Sequence, residues 1–543
     1  MSNPSDVTDI KAAVQARIEE ENAANEREDG ARKENKKKNA DEQPSINFVL
    51  QCAKARDKGN GLLFAYMMRG KMGYVPEGRY WLEWLGHRWG EMYDQLAEAA
   101  VEKVADTYAN AKAREEEALR EAAEDGDSDG TGRHKRNIKA LGGAIWGLHC
   151  PAGVQACLKM SLANDEPLLI PARLLDTDPY ILGCSNGLVD LRTGEARPGR
   201  PEDYVTLSCR PEWQGLDAPC PTWEGMVREI FGDSDEVAHY FHKLVGYAFF
   251  GRVTEKLFVI LLGEEGDSGK TTLMETLYAV AGDYAAPMPV ELLLDQGRPE
   301  NPNSPTPTIM SLKGRRFTWA SEPGENRRFS VERIKLMSGN DTLTGRYGYD
   351  KKPQTFEPSH TLFLLTNHKL RAPAHDTPFW NRVRLLECPY SFVSKPQPGT
   401  NQRQRRDHLM RDVLEGEASG VLAWIVRGYM LYAAEGLEPP EAVKNATTRY
   451  KSEEDLAAIF IEECLEKMDN AEIFAGDMYE LFRAWFMDNY GKSCPSISTF
   501  GRMASKYLVR EKRGRKVYLG YDVKPEIVHK YKDKIKWMQK NVF

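Results

Sequence analysis

A glycine-rich loop that follows an apolar segment carries the residues with the clearest chemical potential. The loop follows residues 257–262 and precedes a helical pattern that starts at Leu273. Backbone N–H groups of such a loop bind phosphates, a lysine reaches the outer phosphates, and a hydroxyl residue ligates Mg²⁺. The pattern therefore predicts a binding site for ATP and Mg²⁺. Its residues are Gly263, Gly266, Asp267, Ser268, Gly269, Lys270, Thr271 and Thr272.

The spacing of this loop departs from the usual phosphate-loop pattern. That pattern places the first glycine at position 264, where the chain has Glu264. Either the loop is one residue longer and begins at Gly263, or Gly266 forms the turn. The alternative interpretation is a glycine-rich turn with a chance lysine–threonine pair, but the strand pattern before it and the helix pattern after it favour nucleotide binding.

Two further apolar segments end in polar side chains that suit phosphate chemistry. Residues 316–321 lead to Glu322, which we expect to hold Mg²⁺ and to polarise the attacking water. Residues 361–366 lead to Asn367, whose amide suits the orientation of that water or the sensing of the outermost phosphate. Each strand end alone is weak evidence, because strands must end in something polar. Three in succession, counting the glycine-rich loop, are stronger evidence.

The order of these motifs resembles the helicase part of the phage and plasmid primase–helicases, a family related to poxvirus D5-type proteins. These are superfamily 3 helicases of the AAA+ class. The resemblance covers residues 181–392 well and the C-terminal end loosely. It rests on the segments Gly263–Thr272, Ser321–Glu325, Ile334–Asp341, Leu365–His368 and Phe379–Leu385, and on Asn186–Leu191, which is similar to the domain that usually precedes this helicase.

The resemblance implies an ATP-driven 3′→5′ helicase that forms a hexameric ring around single-stranded DNA. It assigns Lys270 and Thr271 to ATP and Mg²⁺, Glu322 to catalysis and Asn367 to sensing. The rival hypothesis is a DNA-binding initiator or scaffold that uses ATP mainly to assemble. A P-loop kinase is disfavoured, because it gives no account of the basic segments described below.

Arg382 matches the arginine finger of this family, which reaches into the site of the neighbouring subunit. Positive charge against the outermost phosphate is what phosphoryl transfer needs. Arg384 is the rival, because it stands two residues further along a predicted strand and therefore on the same face. The alternative for either residue is a surface arginine.

Two basic segments are candidates for contact with DNA. Residues 342–356 read as a hairpin, which the resemblance places against DNA in the channel of the ring; the alternative is a solvated turn. Residues 471–521 read as two helices and two short strands joined by a basic turn, a pattern typical of a winged helix. The candidate contacts are Arg346, Tyr349, Lys351 and Lys352 in the hairpin and Arg513, Arg515 and Lys516 in the turn, where lysines and arginines follow phosphates and the tyrosine stacks on a base.

These motifs predict an α/β fold with a parallel sheet in its P-loop core, and the resemblance implies that this core is of the AAA+ class. A mixed α/β and helical region precedes the core, and a winged helix follows it. The predicted domains are 1–45, a charged and disordered arm; 46–137, an accessory domain with a long helix and an acidic linker; 138–245, a mixed or helical domain; 246–400, the superfamily 3 ATPase core; 401–465, a helical connector; and 466–543, a winged-helix-like DNA-binding domain.

The N-terminal part carries an aromatic cluster and an acidic segment. Residues 46–89 read as short strands with a turn at Pro76–Gly78, and Trp81, Trp84 and Trp89 fit a small β core better than a base-stacking surface. Residues 90–123 read as helix, and the acidic residues 124–130 read as a linker. No convincing carboxylate pair for metal-dependent polymerisation occurs in this part, so we expect no primase activity.

Composition excludes several classes of protein. The net charge is −7, from 74 Lys and Arg against 81 Asp and Glu, so any nucleic-acid contact must be local. Nine scattered cysteines without a CxxC pair indicate reduced thiols, and no apolar run is long enough to span a membrane. A cytoplasmic protein of a bacterial host is expected. Its expected partners are single-stranded and forked DNA, other copies of itself, and a primase, polymerase or replication initiator.

Overall fold

The computed structural model describes residues 43–297, 306–325, 327–346, 353–491, 494–535 and 537–538, with only the backbone for Arg513. The predicted N-terminal arm lies almost wholly outside these residues. The chain divides into two compact units, one formed by residues up to Thr177 with Pro198–Leu207 and the other by Asp178–Arg197 with the chain from Ser208 onward. The finer domain boundaries stay predictions.

The first unit packs helices against a small antiparallel sheet. Its elements are α1 Ile46–Lys54, α2 Arg56–Met68, β1 Met72–Val75, β2 Tyr80–Trp84, β3 Trp89–Met92, α3 Asp94–Ala100, α4 Glu102–Glu124, α5 Ser128–Leu148 and α6 Pro151–Ser161. Trp81 and Trp89 are 4% and 2% exposed, which confirms that the aromatic cluster belongs to the core. The strand prediction was wrong for residues 46–68, which are helical: apolar side chains recur with helical spacing in α1, whereas α2 is buried on several sides.

The acidic segment between α4 and α5 is much shorter than predicted. Only Asp125, Gly126 and Asp127 separate the two helices, so the prediction of a linker through Gly130 was wrong. Asp127 is the N-cap of α5, and its carboxylate accepts a hydrogen bond of 3.0 Å from Gly130 N. An aspartate at this position satisfies one of the free N–H groups of the first turn, and that contact begins the helix.

The second unit contains most of the strands. Its strands are β4 Ile181–Cys184, β5 Gly187–Asp190, β6 Ala196–Arg197, β7 Phe258–Leu262, β8 Ala285–Pro287, β9 Phe317–Ser321, β10 Leu343–Gly345, β11 Gln354–Phe356, β12 Thr361–Thr366, β13 Val383–Glu387, β14 Ser391–Val393, β15 Gln402–Gln404, β16 Leu465–Phe474, β17 Val509–Arg513 and β18 Arg515–Val523. Its helices are α7 Pro221–Ile230, α8 Asp235–Ala248, α9 Lys270–Ala281, α10 Pro307–Met310, α11 Val331–Met337, α12 Thr377–Trp380, α13 Leu409–Gly416, α14 Ala418–Glu435, α15 Glu441–Glu453, α16 Leu456–Cys464, α17 Ala475–Tyr490, α18 Ile497–Ala504 and α19 Pro525–Tyr531.

A five-stranded parallel sheet forms the centre of this unit. The strand order is β13-β7-β12-β9-β8, and every adjacent pair is parallel. All residues of β7 and β12 are buried, as expected for strands covered on both faces. The strands that end at Leu262 and Thr366 are neighbours, so the loop and the asparagine that follow them meet at one edge. The predicted parallel sheet is confirmed.

The C-terminal part has the predicted order of helix, helix, strand, turn and strand, in α17, α18, β17 and β18. Two details differ from the prediction. Residues 471–474 belong to the long strand β16, which pairs with β18. The predicted turn of residues 510–516 is reduced to Gly514 (φ 73°), because Val509–Arg513 and Arg515–Val523 are strands. The assignment to a winged helix stays a prediction.

Candidate nucleotide-binding site

A cavity of about 750 Å³ lies at the carboxyl ends of β7, β9 and β12. In open parallel sheets, ligands bind at this edge, where the connections of the strands diverge to the two faces. The predicted residues that line the cavity are Asp267, Ser268, Gly269, Lys270, Thr271, Thr272, Glu322 and Asn367. The structure therefore brings together the three strand ends that the sequence suggested.

The loop conformation resolves the question of its spacing. Gly263 directly follows β7 and has no positive φ, but a Cβ there would lie 2.1 Å from Ser268 Oγ and 2.5 Å from Lys270 Nζ. Gly266 has φ 71° and forms the turn, followed by Asp267 at φ 43° and Gly269 at φ 78°. The first glycine is thus required for space beside the lysine, and the second is required for backbone conformation.

Lys270 is the first residue of α9 and is only 7% exposed. Its Nζ donates hydrogen bonds to Ser268 Oγ at 2.6 Å, to Asn367 Oδ1 at 2.9 Å and to Gly263 O at 3.4 Å. Burial lowers the pKa of the ammonium group, while the charge of Asp267 opposes that shift. These neutral acceptors hold the lysine in place without neutralising its charge, so it is suited to attract an anion.

Glu322 and Ser321 stand at the end of β9 and are exposed to the cavity. Glu322 has φ 55°, a left-handed conformation that costs a non-glycine residue free energy and occurs often at functional sites. Its backbone N–H donates a hydrogen bond of 3.2 Å to Leu365 O on the neighbouring strand. This hydrogen bond holds Glu322 against the end of the neighbouring strand β12, two residues before Asn367.

The residues of the cavity fit a magnesium nucleotide. Thr271 is exposed in the first turn of α9, where free N–H groups and the helix dipole favour phosphates. Mg²⁺ keeps several waters and takes one or two protein oxygens together with phosphate oxygens, so Thr271 and Glu322 suffice. No group of three or more His, Cys, Asp or Glu that suits an all-protein metal site occurs in the described residues.

The two candidate finger arginines lie far from this cavity. Arg382 precedes β13, and its carbonyl accepts a hydrogen bond of 2.8 Å from Phe258 N at the start of β7. The loop begins at the opposite end of β7, roughly 16 Å away at about 3.3 Å per residue. Arg382 Nη1 donates to Pro378 O at 2.6 Å. Arg384 lies beside Tyr240, where it opposes the burial that raises the pKa of that phenol to about 12.

The candidate DNA contacts are only partly described. Tyr349, Lys351 and Lys352 lie outside the described residues. Arg346 follows β10, which pairs with β11 as predicted, and its backbone N–H donates a hydrogen bond to Thr306 Oγ1 at 3.1 Å. Arg513, Arg515 and Lys516 flank the turn between β17 and β18, where the last two side chains are exposed.

Several residues of the cavity were missed from the sequence. Phe392 N donates a hydrogen bond of 2.9 Å to Asp267 O, which fixes β14 to the loop. Arg406, at the cavity mouth, forms an ion pair of 2.5 Å with Glu229 at the end of α7. Arg405 lines the cavity as well. The signal available was the run of basic residues from Arg403 to Arg406, but nothing in the sequence placed it near the loop.

None of the helices in the described ranges combines the length and the apolar character needed to cross a membrane. All nine cysteines are free thiols, as predicted.

Comparison of the sequence with those of known proteins supports the resemblance. Residues 61–232 match the family described as "D5 N terminal like". A protein of Acanthamoeba polyphaga mimivirus named "Putative helicase" is 27% identical over 60% of this chain and 35% of its own length. An African swine fever virus protein named "Putative primase" is 26% identical over 43% of this chain and 24% of its own length. The apo structure of the NrS-1 C-terminal region is 12% identical, with a TM-score of 0.36, over 64% of this chain and 100% of that chain.

This chain therefore spans about a third or less of the length of the curated relatives it matches. The match to the D5-like family and the similarity to proteins named helicase and primase agree with the resemblance that the order of the strand-end motifs indicated. The chain thus carries a segment that matches the D5 N terminal like family and is similar to a putative helicase and a putative primase of large DNA viruses, in agreement with the resemblance seen in its sequence.

Proposed function

We propose that this protein is an ATP-dependent DNA helicase. The observation that carries the proposal is the buried Lys270, which Asn367 and Ser268 hold at the start of α9 in a cavity that also contains Glu322. Lys270 would contact the outer phosphates, and Thr271 and Glu322 would hold Mg²⁺. The bound ion would neutralise charge on the phosphates. Glu322 and Asn367 would orient the attacking water.

Hydrolysis gains from a cation beside the charge that develops in the transition state, in addition to Lys270, Arg405 and Arg406, which line the cavity. Arg382 suits that role only for a neighbouring copy, because it stands at the amino end of the sheet while its own loop lies at the carboxyl end. A ring of subunits, in which each Arg382 reaches the next cavity, supplies this charge and couples hydrolysis to movement between subunits. We propose a hexameric ring that moves 3′→5′, as in the family the sequence resembles.

Grip on DNA is proposed for the two basic hairpins. The strands β10 and β11 would carry Arg346, Tyr349, Lys351 and Lys352 toward single-stranded DNA. The hairpin of β17 and β18 carries Arg513, Arg515 and Lys516. A variant in which all three are replaced by glutamine should bind forked DNA more weakly. The slope of log K against log salt should flatten by about two to three units. An unchanged slope would remove this hairpin from the DNA interface.

The test of the proposed function combines three measurements on the full chain: ATP binding, phosphate release and strand displacement on a forked substrate. Lys270→Ala should lose all three, because the buried cation for the phosphates is gone. Glu322→Gln should bind ATP but not hydrolyse it. Lys451→Ala, in α15, is the matched control for loss of a lysine and should behave as the unaltered protein does.

Two outcomes would redirect the proposal. Undiminished hydrolysis in Lys270→Ala and Glu322→Gln would remove the site. ATP-dependent assembly on DNA without strand displacement would instead favour the initiator or scaffold. The expected absence of primase activity is tested separately by primer synthesis on a single-stranded template.

A further inference from the structure

The outward face of α5, in the first unit, combines an exposed tryptophan with unpaired cations. Trp146 is 74% exposed, although a tryptophan normally buries most of its surface. At about 100° per residue, Lys135 and Lys139 lie within about 20° of Trp146 around the helix axis. Both lysines are exposed, and neither forms an ion pair with another of the described residues. We call this face, from Lys135 to Trp146, the α5 ridge.

The ridge lies directly opposite the side of α5 that packs into the core. The buried residues of α5 recur with helical spacing and lie about 180° from Trp146 around the axis. They are Gly130, Asn137, Leu141, Ala144 and Leu148. Trp146 and the two lysines therefore take no part in the packing of the unit, and packing does not explain why these residue types occur there.

Packing also gives no reason for the two glycines between the lysines and the tryptophan. Gly142 and Gly143 occupy it, and a Cβ at either position would meet no atom within 4 Å. Glycine inside a helix costs about 1 kcal/mol relative to alanine, so two unneeded glycines weaken α5. On an exposed ridge, they leave the helix backbone open to close approach by another molecule.

The side chains that α5 itself contributes to the ridge carry no negative charge, although Glu102 of α4 lies 3.4 Å from Nε2 of His149 at the C-cap. Within about 60° of Trp146, the residues of α5 and its C-cap are Ser128, Thr131, Gly132, Lys135, Lys139, Gly142, Gly143, Trp146 and His149, with no Asp or Glu among them. A chain with a net charge of −7 thus presents a local cationic row that ends in an aromatic ring. Such a row attracts a polyanion whose other face can stack.

We propose that the α5 ridge binds single-stranded DNA, with Trp146 stacked on a base and Lys135 and Lys139 against phosphates. The ridge is about 16 Å long from Lys135 to Trp146, which spans about five stacked nucleotides at about 3.4 Å each. The choice of DNA as occupant rests on the proposed function. The site itself is additional, because it belongs to the first unit, whereas the residues that line the nucleotide cavity belong to the second.

The experiment measures the affinity of the full chain for a fluorescent single-stranded oligonucleotide over a range of salt concentrations. Trp146→Ala should weaken binding by about tenfold, while Trp146→Phe retains most of the affinity, because stacking needs only an aromatic face. The double variant Lys135→Gln, Lys139→Gln should lower the salt slope by about 1.4, from about 0.7 for each lost contact with a single strand.

The controls come from the same unit. Tyr93 is 80% exposed but stands outside the ridge, so Tyr93→Ala should leave the affinity unchanged. The double variant Lys58→Gln, Lys103→Gln changes the charge equally, at exposed lysines of α2 and α4, and should lower the salt slope less. Light-induced cross-linking of a bromouracil oligonucleotide should place the attached residue at Trp146.

Each other result overturns the proposal. Unchanged affinity in Trp146→Ala, with cross-links elsewhere, would remove the ridge from the DNA interface, while strand displacement would show that the proposed function survives. A change in sedimentation without a change in DNA affinity would make the ridge a contact between copies of the chain. If the unaltered protein does not bind single-stranded DNA at all, both proposals are refuted.

Discussion

Asn367 Oδ1 accepts a hydrogen bond of 2.9 Å from Lys270 Nζ, across the ends of two neighbouring parallel strands. The two residues are 97 positions apart in the chain, and the register of β7 and β12 alone brings them together. The amide therefore touches the side chain that would bind the outer phosphates, so a change in the phosphates can reach the strand through Asn367. This contact is the physical basis for its proposed role as a sensor.

Replacement of Asn367 should separate binding from hydrolysis. In Asn367→Leu, the lysine keeps Ser268 and gains freedom, so we expect ATP binding to persist and kcat to fall by about 100-fold, as for loss of a polar group aimed at the reacting atoms. Fluorescent-nucleotide binding and single-turnover phosphate release measure the two steps. Asn445→Leu, an exposed amide on α15, is the control. Equal loss of binding and hydrolysis would refute a sensing role.

The arginine finger should act between subunits. Arg382→Ala should bind nucleotide and fail to hydrolyse it, and a mixture with Lys270→Ala subunits should recover part of the activity. Recovery is expected because some mixed interfaces then contain an intact lysine and an intact finger. Arg384→Ala should lose less activity than Arg382→Ala, since Arg384 contacts its own α8. No recovery in subunits that demonstrably co-assemble would contradict the assignment.

Arg316 should matter for stability and not for chemistry. The residue is 4% exposed, and its guanidinium donates to the backbone carbonyls of Phe249 at 2.7 Å, Ile181 at 3.0 Å and Pro179 at 3.1 Å. Arg316→Met would leave these acceptors unsatisfied, at about 1–3 kcal/mol each. Urea unfolding should show a loss of at least about 3 kcal/mol. Arg192→Ala, which removes a surface ion pair, should cost about 1 kcal/mol or less.

His242 should make the protein less stable in mild acid. Burial lowers the pKa of this imidazole from 6.5 to about 4, with the ring stacked 4.1 Å from that of Trp424. The unfolded chain binds a proton below pH 6.5 and the folded chain does not until about pH 4, so stability is complete above 6.5 and falls as pH drops to 4. The loss from this group should approach about 3 kcal/mol.

Urea unfolding at several pH values tests this prediction. His242→Gln should flatten the pH dependence between 6.5 and 4, whereas the exposed His529→Gln should not. Burial also lowers the pKa of His360 to about 4, so part of the slope should remain in the His242 variant. An unchanged slope in His242→Gln would show that the pKa of this imidazole is the same in the folded and in the unfolded chain.

Local sequence determined the central strands, the glycine-rich loop and the resemblance to D5-type proteins. Largely apolar runs predicted β7, β9 and β12, because a strand that is buried on both faces consists mainly of apolar residues. The glycine-rich loop with its lysine and threonine predicted phosphate binding. The same local logic failed for residues 46–68 and for the acidic segment before Ser128. Residues 46–54 form a short amphipathic helix, and Asp127 is the N-cap of the helix that begins at Ser128. The glycines, aspartates and serine around Asp127 are also typical of a linker, so their composition alone did not reveal the helix start.

Tertiary structure alone decided which distant residues share a site. The positions of Asn367 and Glu322 beside Lys270, of Arg405 and Arg406 at the cavity mouth, and of Trp146 on an outward face follow from strand order and helix packing. Contacts between residues so far apart in the chain depend on the register and burial of whole elements. A single sequence records the period of each element but not the partner against which it packs.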